Sequence, residues 1–104
     1  MINLPDDFTR FEDLDDQINE TKVTGFKYKD FVTFMIYQRP KDATIKFKLL
    51  GTELYEKMEY DDQRTYSRYI WLNNESDKIN KAQVTKIVDL CEYLYNKYKG
   101  VLND

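Results

Sequence analysis

FVTFMIYQRPKDATIKFKLL, residues 31–50, is the stretch that decides the fold. In its second half Ile45, Phe47 and Leu49 are apolar, while Thr44, Lys46 and Lys48 between them are polar. Successive side chains of a strand point to opposite faces, so this alternation marks a strand with one face in a core and one in water. The first half, Phe31 to Gln38, is apolar and aromatic almost throughout, Thr33 being the main exception, and predicts a central strand covered on both faces. Arg39-Pro40-Lys41-Asp42 joins the two as a hairpin, with proline where its fixed φ suits a turn.

Working outward, Thr65 to Leu72 alternates as well, with Tyr66, Ile70 and Leu72 opposite Ser67, Tyr69 and Trp71, and Asn73-Asn74 ends it. Thr21 to Lys29, containing Val23, Phe26 and Tyr28, reads as an edge strand. The pattern of Thr52 to Tyr60 fits two structures: a helical turn through Leu54, Tyr55 and Met58, or a strand pairing back onto Thr65 to Leu72 across Asp61-Asp62-Gln63-Arg64.

The C-terminal segment predicts a helix from Asn80 to Lys99. Asn80 and Gln83 have capping-box spacing, and Ile79 with Val84 would form a hydrophobic staple. Val84, Ile87, Val88, Cys91, Leu94, Tyr95 and Tyr98 recur at steps of three and four along one stripe, of which Val84, Ile87, Val88, Cys91 and Leu94 are expected to be buried. Lys97 and Lys99 suit the negative end of the helix dipole, and Gly100 suits the position just past the helix. At the other terminus, Phe11, Leu14 and Ile18 fit a helical stripe over Thr9 to Asn19, where Thr9 and Glu12 repeat the capping-box spacing. The expected fold is α+β: a small antiparallel sheet of about four strands, a C-terminal helix packed on it, and a short acidic N-terminal helix. With 104 residues and no repeat or Pro/Gly/Ser linker, residues 1–104 are expected to form one domain.

The absence of histidine removes the commonest general acid/base and the commonest metal ligand, along with Ser-His and Cys-His nucleophile pairs. Cys91 is the only cysteine, and its place on the apolar stripe reads as a buried structural thiol. It cannot form an internal disulfide, which fits a reducing compartment. The N-terminus lacks the basic and apolar regions of an export signal, and no apolar run is long enough to span a membrane, so the cytoplasm is the expected location. Phe, Tyr, Met, Ile, Asn and Lys total 44 residues against 11 for Gly, Ala, Pro and Arg, a skew that AT-rich coding produces and that suits a low-GC bacterium, its phage or a plasmid.

Charge is segregated. Residues 1–20 carry −6, residues 21–50 carry +5, residues 51–77 carry −4 and residues 78–104 carry +2. Opposed acidic and basic surfaces can steer a charged partner. The primary expectation is therefore a non-enzymatic protein-binding regulator or inhibitor, an anti-defence or host-takeover protein of a phage or mobile element, whose partner is a basic protein that handles nucleic acid. Its surface is assigned to the acidic loop and its aromatics, Tyr55, Glu56, Glu59, Tyr60, Asp61, Asp62 and Tyr66, because tyrosine combines apolar area with a polar tip and is enriched in binding hot spots. The competing acidic surface is the N-terminal segment with Asp13, Asp15 and Asp16.

The alternative is a single-strand nucleic-acid binder, with Lys27, Lys29, Lys46 and Lys48 on phosphates and Tyr28, Tyr37 or Tyr69 stacking on bases. A net charge of −3 weighs against it. No cofactor or metal is expected, since neither Asp61-Asp62 nor Asp13, Asp15 and Asp16 has the ligand spacing of a calcium loop. Pro5-Asp6 with Glu20-Thr21-Lys22 superficially resembles the pattern of PD-(D/E)xK nucleases, in which two acids hold a metal and lysine assists hydrolysis. That match is short and sets its first acid in a chain terminus, so no catalytic residue is assigned.

Overall fold

A computed structural model describes residues 3–16, 20–42, 44–72 and 79–102. Five strands run in chain order through one antiparallel sheet: β1 (Phe8–Asp16), β2 (Thr21–Tyr28), β3 (Val32–Arg39), β4 (Thr44–Leu50) and the short β5 (Ile70–Trp71). Between β4 and β5 lie two short helices, α1 (Thr52–Lys57) and α2 (Tyr60–Tyr66), and after β5 comes the long helix α3 (Lys81–Leu102). The protein is thus α+β, with a C-terminal helix on an antiparallel sheet.

The β3–β4 hairpin follows its sequence pattern closely. Its turn is a single 3-10 turn at Pro40–Asp42, where the Asp42 carboxylate accepts from the Thr44 backbone N–H at 3.2 Å and pairs with Arg39 at 3.5 Å. Register aligns Phe34 with Leu49 and Ile36 with Phe47. These four join Phe26, Tyr28, Val32 and Ile45 in a continuous apolar layer. From the helical side Leu54 and Met58 of the α1 segment, Tyr66 of α2, and Ile87, Cys91, Leu94 and Tyr98 of α3 complete the core. Aromatic stacking ties the sheet together, with ring centroids 5.6 Å apart for Phe26 and Phe34 and 4.8 Å for Phe34 and Phe47.

α3 starts with the expected capping box. The Gln83 N–H donates to Asn80 Oδ1 at 3.0 Å, and the Asn80 N–H donates to Gln83 Oε1 at 2.7 Å. Gln83 then reaches inward to donate to the Leu72 carbonyl at 3.2 Å, which explains a buried amide on an otherwise apolar stripe. Ile87, Cys91 and Leu94 are buried as expected, whereas Val84 and Val88 flank the stripe and are half-buried. Gly100 does not end the helix, which continues to Leu102.

Five expectations change. The acidic N-terminal segment is strand β1, not a helix, and it takes the sheet edge that had been expected for Thr21 to Lys29. The misleading three-residue step has a physical cause: β1 carries a bulge between Arg10 and Glu12, which adds one residue to one strand and reverses the parity of all that follow. Phe11 and Leu14 therefore share one face of a strand at a spacing that mimics a helix. Gly25 makes room for this, since a Cβ there would lie 2.8 Å from the Phe11 ring. The strand count rises accordingly from about four to five. Residues 52–57 are helical, and the expected strand over Thr65 to Leu72 shrinks to Ile70–Trp71, because Tyr60–Tyr66 turns Tyr66 onto the core as part of α2. The turn from β4 into α1 needs Gly51 at φ 94°, a left-handed conformation open to glycine, and a side chain there would also crowd Thr33. Finally, β3 is covered on one face only. Thr33, Met35 and Tyr37 alternate with its buried residues and look outward. The Asn73-Asn74 stop lies outside the described residues.

Candidate functional site

The surface expected to bind a protein partner splits in two. Tyr60, 71% exposed, stands out with Tyr55, Glu56 and Asp61 around it. Asp62 and Tyr66 point the other way and are buried. Asp62 is the hub of a polar cluster that pins α2 to α3: its carboxylate accepts from Tyr93 Oη at 2.8 Å, from Lys97 Nζ at 2.8 Å and from the Tyr98 hydroxyl. Lys97 also pairs with Glu59 at 3.0 Å, and Tyr98 Oη accepts from the Glu59 N–H at 2.9 Å. Burial pushes the Asp62 pKa up, but the hydrogen bonds from Lys97, Tyr98 and Tyr93 outweigh it and hold the carboxyl below its ordinary range. Lys97 is held above its ordinary value, first by Asp62 and then by Tyr93 and Glu59. These side chains have satisfied one another, and among the described residues the groove of about 570 Å³ beside them, between α2 and α3, holds no buried side-chain polar atom without a partner.

The other acidic segment also loses its expected shape. On β1 Glu12 and Asp13 face opposite sides of the sheet, and Arg10 pairs with Asp13. Asp6 and Glu20 sit at opposite ends of β1, on the order of 25 Å apart from the strand rise, so they share no metal site. Among the described residues no group of three acidic or cysteine ligands converges.

The basic strands have a different environment. Register places Trp71, Lys46, Tyr37, Val23 and Leu14 in one row across β5, β4, β3, β2 and β1, all on the face away from the helices. A second row holds Lys48, Met35 and Gly25, with the Phe11 ring over the glycine. A third holds Leu50, Thr33 and Lys27. Trp71 is 56% exposed, Phe11 49% and Tyr69 39%. Lys46 Nζ lies 4.6 Å from the Trp71 ring centre and 4.9 Å from that of Tyr69, and Lys48 Nζ lies 4.8 Å from Tyr69. Tyr37 meets Tyr69 edge to face at 5.1 Å. Its hydroxyl stays neutral, its pKa raised by partial burial and then by the Tyr69 hydroxyl. A shallow pocket of about 260 Å³ opens between these rings, Arg39 and Thr44.

Of the four lysines expected to meet phosphates, Lys27, Lys46 and Lys48 share this face. Lys29 does not: it sits in the β2–β3 turn at φ 53°, over the Tyr28 and Tyr95 rings on the helical side. Tyr28 is buried and cannot stack on a ligand. Trp71, Phe11 and Arg39 join the face although sequence reasoning left them out. Parity alone places Trp71 opposite Leu72, so that signal was legible; the bulge that turns Phe11 outward was not.

No protein-family model matches this chain, and searches of curated proteins and of solved structures return no match.

Proposed function

We propose that this chain is a non-enzymatic binding protein that regulates or inhibits a macromolecule by occupying it, and that the open face of the sheet is its working surface. One observation carries the reading. All three helices pack on one side of the sheet, while the other side gathers Phe11, Tyr69 and Trp71 with Lys27, Lys46 and Lys48. Exposed aromatics grouped on a rigid sheet are costly to leave in water and are the usual anchors of an interface. The acidic surface around Tyr60 is smaller, since Asp62 and Tyr66 belong to the core side.

Two features favour binding over catalysis. Cys91 is fully buried, and desolvation raises its pKa, so the thiolate that a nucleophile requires is suppressed. Asp62, the buried carboxylate, is consumed by three hydrogen bonds. A small inhibitor encoded by a phage or mobile element is a setting that suits such a protein.

Isotope-labelled protein in a concentrated extract of its source cells tests this by NMR. Broadening or shifts at the Trp71 indole and at Met35, Lys46 and Lys48 amides are expected, with Glu56, Tyr60 and Asp61 unchanged. Changes centred on Tyr55 to Asp61, or no changes at all, would overturn the assignment.

A further inference from the structure

We infer that the open face binds single-stranded nucleic acid, with unpaired bases stacking on Trp71 and Tyr69 and the backbone phosphates meeting Lys46, Lys48 and Lys27. This ligand class presupposes that the open face is the working surface. It follows from what surrounds the cations on that face. The ion pairs among the described residues are Lys97 with Asp62 and Glu59, Arg10 with Asp13 and, at the rim of this face, Arg39 with Asp42. Among the described residues no carboxylate pairs with Lys27, Lys46 or Lys48. Lys46 and Lys48 have rings as neighbours instead, so the face combines positive charge without a carboxylate partner with exposed π surface. A single strand offers both complements at once, phosphate for the ammonium groups and planar bases for the rings, whereas a duplex hides its base faces inside the stack. An acidic peptide would satisfy the charge and leave the rings without a planar partner.

The arrangement also limits the contact. Lys46 and Lys48 are two residues apart on β4, about 7 Å along the strand, so they can take separate phosphates. Glu12, opposite Gly25 on β1, borders the face at its far side and repels a backbone that crosses in that direction. The strand is therefore confined to the β2–β5 part of the face, and few phosphates are neutralised.

The purified chain is titrated with a labelled oligothymidylate of about a dozen nucleotides, following anisotropy and the emission of Trp71, the only tryptophan. Saturable binding with a change in Trp71 emission is expected, and log affinity should fall with log salt at a slope near −2, from about 0.7 per phosphate for three lysines. Replacing Lys46 and Lys48 together by Gln should bring the slope to about −0.7. Trp71→Ala should weaken binding by roughly 5- to 150-fold, the span for one base stack. Tyr60→Ala should change neither, and circular dichroism confirms that each variant is folded. A duplex of the same length and polyglutamate should bind about tenfold more weakly or less well still. No saturable binding at low salt overturns the ligand class. Equal binding of polyglutamate, with the same Trp71 response and the same sensitivity to Lys46 and Lys48, overturns it too but leaves the open face as the surface for an acidic protein. Binding abolished by Tyr60→Ala and untouched by the face variants overturns both.

Discussion

Removing one hydroxyl, Tyr98→Phe, isolates the polar cluster that locks α2 onto α3. The ring is buried and phenylalanine keeps its shape, so no cavity forms and the whole effect comes from hydrogen bonding. The hydroxyl donates to Asp62 and accepts from the Glu59 N–H. Glu59 is exposed, so water can replace the second bond at little cost; the first goes to a buried carboxylate, and a hydrogen bond to a charged group contributes about 1.5–3 kcal/mol. Urea denaturation at neutral pH should therefore show a loss of about 1.5–3 kcal/mol. The dependence on pH is a second signature. Asp62 is held below its ordinary pKa, so its stabilising contribution is present above the unfolded value of about 4 and is lost as pH falls through the lower folded value. Tyr98 is one of three donors responsible, so the gap between wild type and Tyr98→Phe should narrow in acid. A neutral-pH loss below about 0.5 kcal/mol, or a loss that stays constant from neutral pH down into the acid limb, would refute the role given to this cluster.

Ile87→Ala should cost about 2–5 kcal/mol, because the side chain is fully enclosed beneath the sheet; urea denaturation showing less than about 0.5 kcal/mol would remove α3 from the core. Cys91 should resist a thiol reagent in the native state and react fully in denaturant, and fast native labelling would contradict its burial. Tyr66 has its pKa pushed up to about 12, first by burial and then by Tyr93 and Asp62. Its contribution is full below the unfolded value of about 10 and is lost as pH rises toward 12, so the urea midpoint should drop across that range and drop less in Tyr66→Phe. Equal slopes for the two proteins would exclude Tyr66 as a source of alkaline instability.

What can be read from the residues in order is whatever depends on neighbours in the chain. The β3–β4 hairpin is legible because Ile45, Phe47 and Leu49 alternate and Pro40 shapes the turn. The start of α3 is legible because Asn80 and Gln83 satisfy each other three residues apart. Burial of Ile87, Cys91 and Leu94 follows from the helical period. Segregation of charge along the chain is equally plain, and it grouped Lys27, Lys29, Lys46 and Lys48, of which the fold sends Lys29 to the helical side. Tertiary structure decided the rest. β1 is rich in aspartate, which disfavours strands, and it exists as one because the open edge of β2 supplies hydrogen bonds that outweigh local preference. Tyr66 and Asp62 were indistinguishable in sequence from their exposed neighbours Tyr60 and Asp61, since only the packing of α2 on α3 sets which of each pair turns inward. Likewise, a run such as Phe31 to Gln38 does not state whether one or two layers cover it. The helices of this chain reach only one side of the sheet, and the other side, with Trp71 beside Lys46, is left open because nothing among the described residues packs over it.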